Sequence, residues 1–348
     1  MTALPDPIAE RSPEVPQSLP WVSITREMTF PAAHHFWVKD WSEQENWEAF
    51  GKTSNRQGHG HNYRIAVTLH GPVHPATGMV MNLTEVKKHL QTAIFNPLAF
   101  QHLNTQVKPF DHLQPTLENL APFCWAQLQQ ALAVQAKSNP WQPDKAACRL
   151  IHLRLYEDWD MFVDYRNVLP SAYCPADPSD VPHEIVPMTE SAATLPLVST
   201  EVLFSRAYDF CASHRLENPA LTDAENQALF GKCAYPNGHG HNYTLTVTLQ
   251  GAPDPLTGML IDMLELDTIV AQVLIDPMDH RHLNMDVPFL QGVNPTAENI
   301  VVACWNALDP HLPRHTKLYR LHLQETRNNA VAYYGPHHQQ GLPWMPPV

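Results

Sequence analysis

The chain has 348 residues, a net charge of −13 and 44% apolar residues. That length fits two ordinary domains, and the apolar content suffices for a sizeable core, which excludes general disorder. The acidic balance excludes a general nucleic-acid binder, and no apolar run approaches the roughly 18 residues of a membrane span, so neither partner is expected; a small anionic substrate held by a few local cations stays open.

Residues 1–20 carry neither a basic n-region nor an apolar h-region, so they read as an arm and not as a secretory signal. A strand is expected around Val22–Phe30, followed by a loop that ends in Gly58-His59-Gly60-His61-Asn62-Tyr63. A second strand follows, with Tyr63, Ile65, Val67 and Leu69 alternating along it. Asn82 with Glu85 resembles a capping box opening a helix. A second helix and a last strand running into Glu157 complete a unit over residues 21–165.

Residues 166–198 are rich in Pro, Ser, Ala and Asp and lack periodicity, so they read as a linker. The same order then begins again over residues 199–335, leaving 336–348 as a tail. Gly-His-Gly-His-Asn-Tyr returns at Gly238–Tyr243, an offset of 180 residues. That offset also aligns Phe30 with Phe210, His34 with His214, Gly51-Lys52 with Gly231-Lys232, His102-Leu103-Asn104 with His282-Leu283-Asn284, and Cys124-Trp125 with Cys304-Trp305. Past an insertion near Gln135–Ala147 the offset falls to 168, matching Glu157 to Glu325 and Tyr165 to Tyr333. The chain is a tandem duplication of one domain. The second copy repeats the alternation at Tyr243, Leu245, Val247 and Leu249, the helix start at Asp262 and Glu265, and an apolar helix stripe at Ile300, Cys304 and Leu308. Strand-strand-helix-helix-strand with hairpin-like connections implies an α+β fold, an antiparallel sheet backed by helices on one side.

The chemistry-bearing residues are His, Cys, Asp and Glu. His239 and His241 lie two apart on an extended segment, so both imidazoles point to one face, and Gly238 and Gly240 remove bulk beside them. His214, from the neighbouring strand end, makes a third. Three neutral imidazoles with an open fourth position describe a catalytic zinc site. A lone His-x-His is most often a surface strand pair; here it recurs with its third His at the same spacing, which favours the metal. Of the six cysteines, Cys233 lies six residues before His239, beside Lys232, which favours its thiolate. With no Cys-x-x-Cys pair, the thiols are expected to be reduced in a cytoplasmic protein. Asp279-His280 precedes the recurring His-Leu-Asn; an acid beside a His ties down a loop or orients a base.

Leu229–Leu260, Met278–Asn284, Asn294–Asn299 and Leu323–Tyr334 resemble the 6-pyruvoyl-tetrahydropterin synthases and their bacterial relatives, the 6-carboxytetrahydropterin synthases of queuosine biosynthesis. The resemblance is strong over about 200–335 and weaker over about 20–165. It implies two T-fold domains, each a four-stranded antiparallel sheet with two helices, and 7,8-dihydroneopterin triphosphate as substrate. Carried over, His214, His239 and His241 would bind zinc, Cys233 would be the general base, Asp279 and His280 would complete its triad from a neighbouring domain, and Glu325 would anchor the pterin. Lys232, Arg281 and Arg327 are candidates for the triphosphate.

The first repeat keeps His34, His59, His61 and Glu157, a possible second metal site and pterin anchor. His35 rivals His34 but does not sit at the repeat-matched position. Thr53 stands where the second repeat has Cys233, and Ala99-Phe100 where it has Asp279-His280. The first repeat is either a degenerate structural half or one that binds without turnover. The expectation is a lyase working in the second repeat, against a non-catalytic pterin- or zinc-binding protein. Since only second repeats supply thiol and relay, a homotrimer is expected, with first and second repeats segregated into separate barrels.

Overall fold

The computed structural model describes residues 21–73, 77–136, 148–166 and 201–336. The linker from 167 and the insertion from 137 lie outside the described residues, as do the arm and the tail beyond 336.

In the first repeat, β1 (Trp21–His34) pairs antiparallel with β2 (His59–Pro72) along its whole length. β2 pairs with β3 (Arg149–Tyr156), which turns back into β4 (Met161–Tyr165). The second repeat follows the same path through β5 (Val202–His214), β6 (His239–Gly251), β7 (Lys317–Thr326) and β8 (Asn329–Tyr333). A two-residue strand, Arg281–His282, lies parallel to β5 at Ala212–Ser213. Each repeat therefore has four strands; the fourth, after Glu157 or Glu325, is only five residues long and has no alternation by which a sequence reading finds it.

The segment expected as a loop between the first strand and the Gly-His-Gly-His run holds a helix, α1 (Glu43–Phe50) in the first repeat and α4 (Asp223–Phe230) in the second. Each opens with a full capping box, Ser42 with Glu45 and Thr222 with Glu225, which satisfies orphan N–H groups of the first turn. Two further helices in each repeat cover one sheet face: α2 (Leu83–Leu90) and α3 (Leu117–Ala136) in the first repeat, α5 (Met263–Val270) and α6 (Ala297–Leu308) in the second. On α6, Ile300, Cys304 and Leu308 face the core as their spacing predicts.

The repeats share one sheet. β4 pairs antiparallel with β5, Met161 opposite Arg206 and Asp164 opposite Leu203, so the strand order runs unbroken from β1 to β8. One apolar core runs through both halves, from Phe30 and Leu120 to Leu245 and Ile300. Segregation of the two repeats into separate barrels is therefore incorrect: neighbours hydrogen-bonded in one sheet cannot lie in different barrels. The joint is reinforced on the helix side, where Thr116 Oγ1 donates to Gly258 O at 2.7 Å and Leu260 N donates to Glu118 Oε1 at 3.0 Å. No helix among the described residues is long and apolar enough to cross a membrane.

Candidate active site

The two His clusters are set by strand register. His34 ends β1 directly opposite His59, which starts β2, and His61 is one pleat further on, opposite Ala32. In the second repeat His214 faces His239, and His241 faces Ala212. Alternation puts all three imidazoles on one sheet face. The glycine before each first His is required: Gly58 and Gly238 have φ of +81° and +65°, and a Cβ there would meet the carbonyl oxygen of His34 or His214 at 2.9 or 2.6 Å.

His34 Nε2 stands 3.0 Å from His59 Nε2, and His214 Nε2 stands 3.2 Å from His239 Nε2. His34 Nδ1 is committed to Pro115 O at 3.1 Å, and His214 Nδ1 to Pro295 O at 2.8 Å. The proton is thereby placed on Nδ1, and Nε2 presents a lone pair to another imidazole nitrogen. Two facing ring nitrogens gain little from each other in that state. A tetrahedral zinc with Zn–N bonds of about 2.05 Å sets its ligands about 3.3 Å apart, so both spacings fit a shared cation. The carbonyl bond on Nδ1 is the outer support that zinc-bound imidazoles have. His34, His59, His61 and Glu157 group closely enough to hold one ion, as do His214, His239 and His241.

Glu157 and Glu325 lie against these clusters. Glu157 Oε1 is 3.0 Å from His61 Nε2 and 3.7 Å from His34 Nε2; Glu325 Oε1 is 3.9 Å from His241 Nε2 and 3.8 Å from His214 Nε2. Burial, with Glu118 and Asp158 nearby, pushes the Glu157 carboxyl up to about 8. Burial and the neighbouring His59 bring His34 down to about 3, and burial lowers His59, His61, His214 and His239 as well. Neutral imidazoles beside a carboxylate that a cation would stabilise are what a divalent metal requires.

Asp279 and His280 lie on the edge of β5 that faces the first repeat, because β6 fills its other edge. His280 Nδ1 bonds Asp279 Oδ2 at 2.9 Å, and Asp279 Oδ1 accepts from Cys211 N at 2.9 Å. Those bonds, the backbone one foremost, hold the Asp279 carboxyl below the usual range. The thiol that meets this pair is Cys211, whose Sγ is 3.4 Å from His280 Nε2. Cys233 lies instead beside the end of β5 in its own repeat, its carbonyl accepting from Leu216 N at 2.8 Å, two residues past His214.

The first repeat preserves the backbone and not the chemistry. Phe100, at the His280 position, keeps its positive φ, 61° against 56°, and Phe100 N bonds Pro31 O as His280 N bonds Cys211 O. Thr53 Oγ1 is turned to Phe50 O. Lys232, Arg281 and Arg327 are all exposed. Sequence reasoning missed Cys211, although it stands next to Phe210, an aligned position, and its counterpart is Pro31. It also missed Thr116 and Glu118, whose role across the joint has no signal in local spacing.

A family model described as 6-pyruvoyl tetrahydropterin synthase matches residues 23–168 and 204–336. The human 6-pyruvoyl tetrahydrobiopterin synthase is 46% identical over 131 residues, 38% of this chain and 90% of that protein. The Drosophila melanogaster protein of the same name is 38% identical over 138 residues, 40% of this chain and 82% of that one. The 6-carboxy-5,6,7,8-tetrahydropterin synthase of Haemophilus influenzae is 41% identical over 56 residues, 15% of this chain and 38% of its own. The solved Caenorhabditis elegans 6-pyruvoyl tetrahydropterin synthase aligns at 39% identity with a TM-score of 0.38, over 39% of this chain and 96% of that one.

Proposed function

We propose, from the premise that the chain belongs to the 6-pyruvoyl tetrahydropterin synthase family, that it is a zinc-dependent carbon–oxygen lyase acting on 7,8-dihydroneopterin triphosphate, with loss of triphosphate, at the second repeat. One observation carries this reading: the His214–His239–His241 cradle, with Glu325 against it and the Cys233 backbone bonded to Leu216, two residues past His214. Zinc held there would polarise the substrate's side-chain hydroxyls and make their protons and those of adjacent carbons easier to remove. Cys233 as thiolate takes such a proton. Glu325 accepts from the donor edge of the pterin, which a carboxylate matches with two parallel bonds. Asp279 orients His280 through Nδ1, leaving Nε2 to hold or move a proton. The free thiols of Cys124, Cys148, Cys211, Cys233 and Cys304 fit a reducing, cytoplasmic setting.

The His34–His59–His61 cradle with Glu157 is proposed as a second zinc site and pterin anchor, without a base at Thr53. The match to the Haemophilus influenzae protein favours a second reading, a 6-carboxytetrahydropterin synthase of queuosine biosynthesis. Mass spectrometry of the product formed from dihydroneopterin triphosphate separates the two. Absence of any triphosphate release by zinc-loaded protein would leave only a non-catalytic pterin- or zinc-binding protein.

A further inference from the structure

The sheet face opposite α2, α3, α5 and α6 carries a charge pattern that the two repeats do not share. In the first repeat Asp164 accepts from His152 Nε2 at 2.8 Å and from Arg154 Nε at 2.6 Å, a closed set of two bases and one acid. The offset of 168 residues puts Arg320, His322 and Ala332 at those positions of the second repeat. Imidazole and guanidinium have changed places, and the carboxylate is gone. The register agrees: Ala332 lies opposite His322 as Asp164 lies opposite Arg154. Leu321 and Leu323 of β7 face the core, so alternation turns Arg320 and His322 to the other face.

That face is curled enough to bury them. Arg320 is 5% exposed, and Arg154 of β3 acts on His322 although β4, β5 and β6 lie between: burial lowers the imidazole, and Arg320 and Arg154 lower it further. Arg320 Nη2 reaches Thr248 Oγ1 only at 3.4 Å, and its buried Nε has no hydrogen-bond partner among the described residues. A second guanidinium and two phenols stand beside it. Tyr334 lies within hydrogen-bonding reach of Arg320 and close to Arg166; burial raises its phenol, and the two guanidiniums act against the rise. Tyr319 OH accepts from Arg166 Nη2 at 2.7 Å, and its ring stands edge-on to that of Tyr334. Among the described residues no carboxylate lies within ion-pair distance of Arg320 or Arg166. Glu201 is taken by Gln250 Nε2 at 2.6 Å. In a chain of net charge −13, two guanidiniums share a confined place without a countercharge. A buried cation in that state is strongly unfavourable, and an anion taken from solution removes the cost.

We propose that Arg320, Arg166 and Tyr334 form a binding site for a phosphate-type oxyanion. The two guanidiniums supply the charge and the planar N–H pairs that match phosphate oxygens, and Tyr319 holds Arg166 in place. Tyr334, accepting from Arg320, has its own proton to donate to the anion. The site straddles the joint, since Arg166 closes the first repeat and the other members belong to the second. It is separate from the His cradle: Thr248 and His239 lie toward opposite ends of β6, about 30 Å apart along an extended strand. The ligand is free phosphate or the terminal group of a polyphosphate, one chemistry from two sources. The proposal assumes nothing about the reaction.

Calorimetric titration of the full chain with inorganic phosphate tests it. Wild type should bind, and Arg320→Gln and Arg166→Gln should each weaken binding at least about tenfold. Without phosphate, Arg320→Gln should unfold at a temperature no lower than wild type, because it removes a buried charge that lacks a partner. Added phosphate should then raise the unfolding temperature of wild type and leave that of the variant in place. Should Arg320→Gln not fold, Arg166→Gln and Tyr334→Phe, at half-buried positions, carry the test, the latter with a loss of several-fold. Lys232→Gln alters a residue near the His cradle and should bind phosphate as wild type does. Tripolyphosphate binding that is tighter than phosphate and equally weakened in Arg320→Gln would identify a polyphosphate as the occupant; binding no tighter would identify free phosphate. No binding by wild type, wild-type affinity in both arginine variants, or a loss confined to Lys232→Gln would each overturn the proposal.

Discussion

Cys211 Sγ stands 3.4 Å from His280 Nε2, and among the described residues Cys233 makes no such contact with the same imidazole. The second repeat therefore has two thiols in two settings. One belongs to a thiol–imidazole–carboxylate row on the edge of β5, and the other lies beside the end of β5. Cys233→Ala removes the proposed base and no metal ligand, so turnover should fall at least about 100-fold with zinc content and folding unchanged. Cys211→Ser keeps a hydroxyl against His280 and should lower turnover far less while moving the His280 ring resonances in an NMR titration. Thr53→Ala should do almost nothing. Equal losses from Cys233→Ala and Thr53→Ala would dismiss the proposed base.

Much of this arrangement was legible in the residues, and the limits are physical. The His-x-His pairs and their third ligands could be placed because strand alternation is a strict period of two, so spacing alone puts side chains on one face. The helix Glu43–Phe50 was missed although Ser42-x-x-Glu45 spells its start, because the segment between the strands has little apolar periodicity of its own. The pairing of β4 with β5 was beyond reach. It is a contact between two sheet edges separated by a linker, and edge pairing is set by which surfaces are left over after folding, not by any local pattern. The same holds for Glu118, whose partner Leu260 is 142 residues away.

Glu325→Gln tests the anchor. The substitution places an amide donor where the pterin presents its own donors and removes a charge-assisted pair. The expected loss in pterin affinity is about 2 kcal/mol, roughly 30-fold, by calorimetry on zinc-loaded protein. Glu157→Gln should weaken binding only if the first cradle takes pterin too. An unchanged affinity in Glu325→Gln would rule out the anchor role.

The buried cluster on β3 and β4 should govern acid stability. Asp164 accepts from Arg154 Nε at 2.6 Å, from Arg154 Nη2 at 2.9 Å and from His152 Nε2 at 2.8 Å. Burial alone would push its carboxyl up; the Arg154 guanidinium and the two donors outweigh it and hold the group well below the usual range. A carboxyl depressed in the folded state stabilises above its unfolded value of about 3.9, and that contribution is lost as pH falls through the folded value. Thermal unfolding should therefore steepen with acid below about pH 4, and Asp164→Asn should flatten that slope. At neutral pH the substitution leaves Arg154 buried without its countercharge, at a cost of about 3 kcal/mol. A variant as stable as wild type at pH 7 would show that the pair contributes nothing net.

Zinc stoichiometry decides how much of the first repeat is still a site. Its cradle has the same geometry as the second, with Nε2 atoms 3.0 Å apart against 3.2 Å, and it adds a carboxylate in closer contact, Glu157 at 3.0 Å from His61 against Glu325 at 3.9 Å from His241. Having Thr53, Ala99 and Phe100 where the second repeat has Cys233, Asp279 and His280 costs it no ligand. Both cradles should bind, so plasma emission analysis should find two zinc ions per chain, one for each His cluster. His239→Ala and His59→Ala should each lose one of them. Chelation should lower the unfolding temperature, since an ion held only by the folded state stabilises it by mass action. In Glu157→Gln the first site loses the carboxylate that offsets the cation's charge, and its zinc should be drawn off by lower chelator concentrations than the zinc of the second. If His59→Ala retains both ions, the first cluster is a packed set of neutral imidazoles and the metal chemistry belongs to His214, His239 and His241 alone.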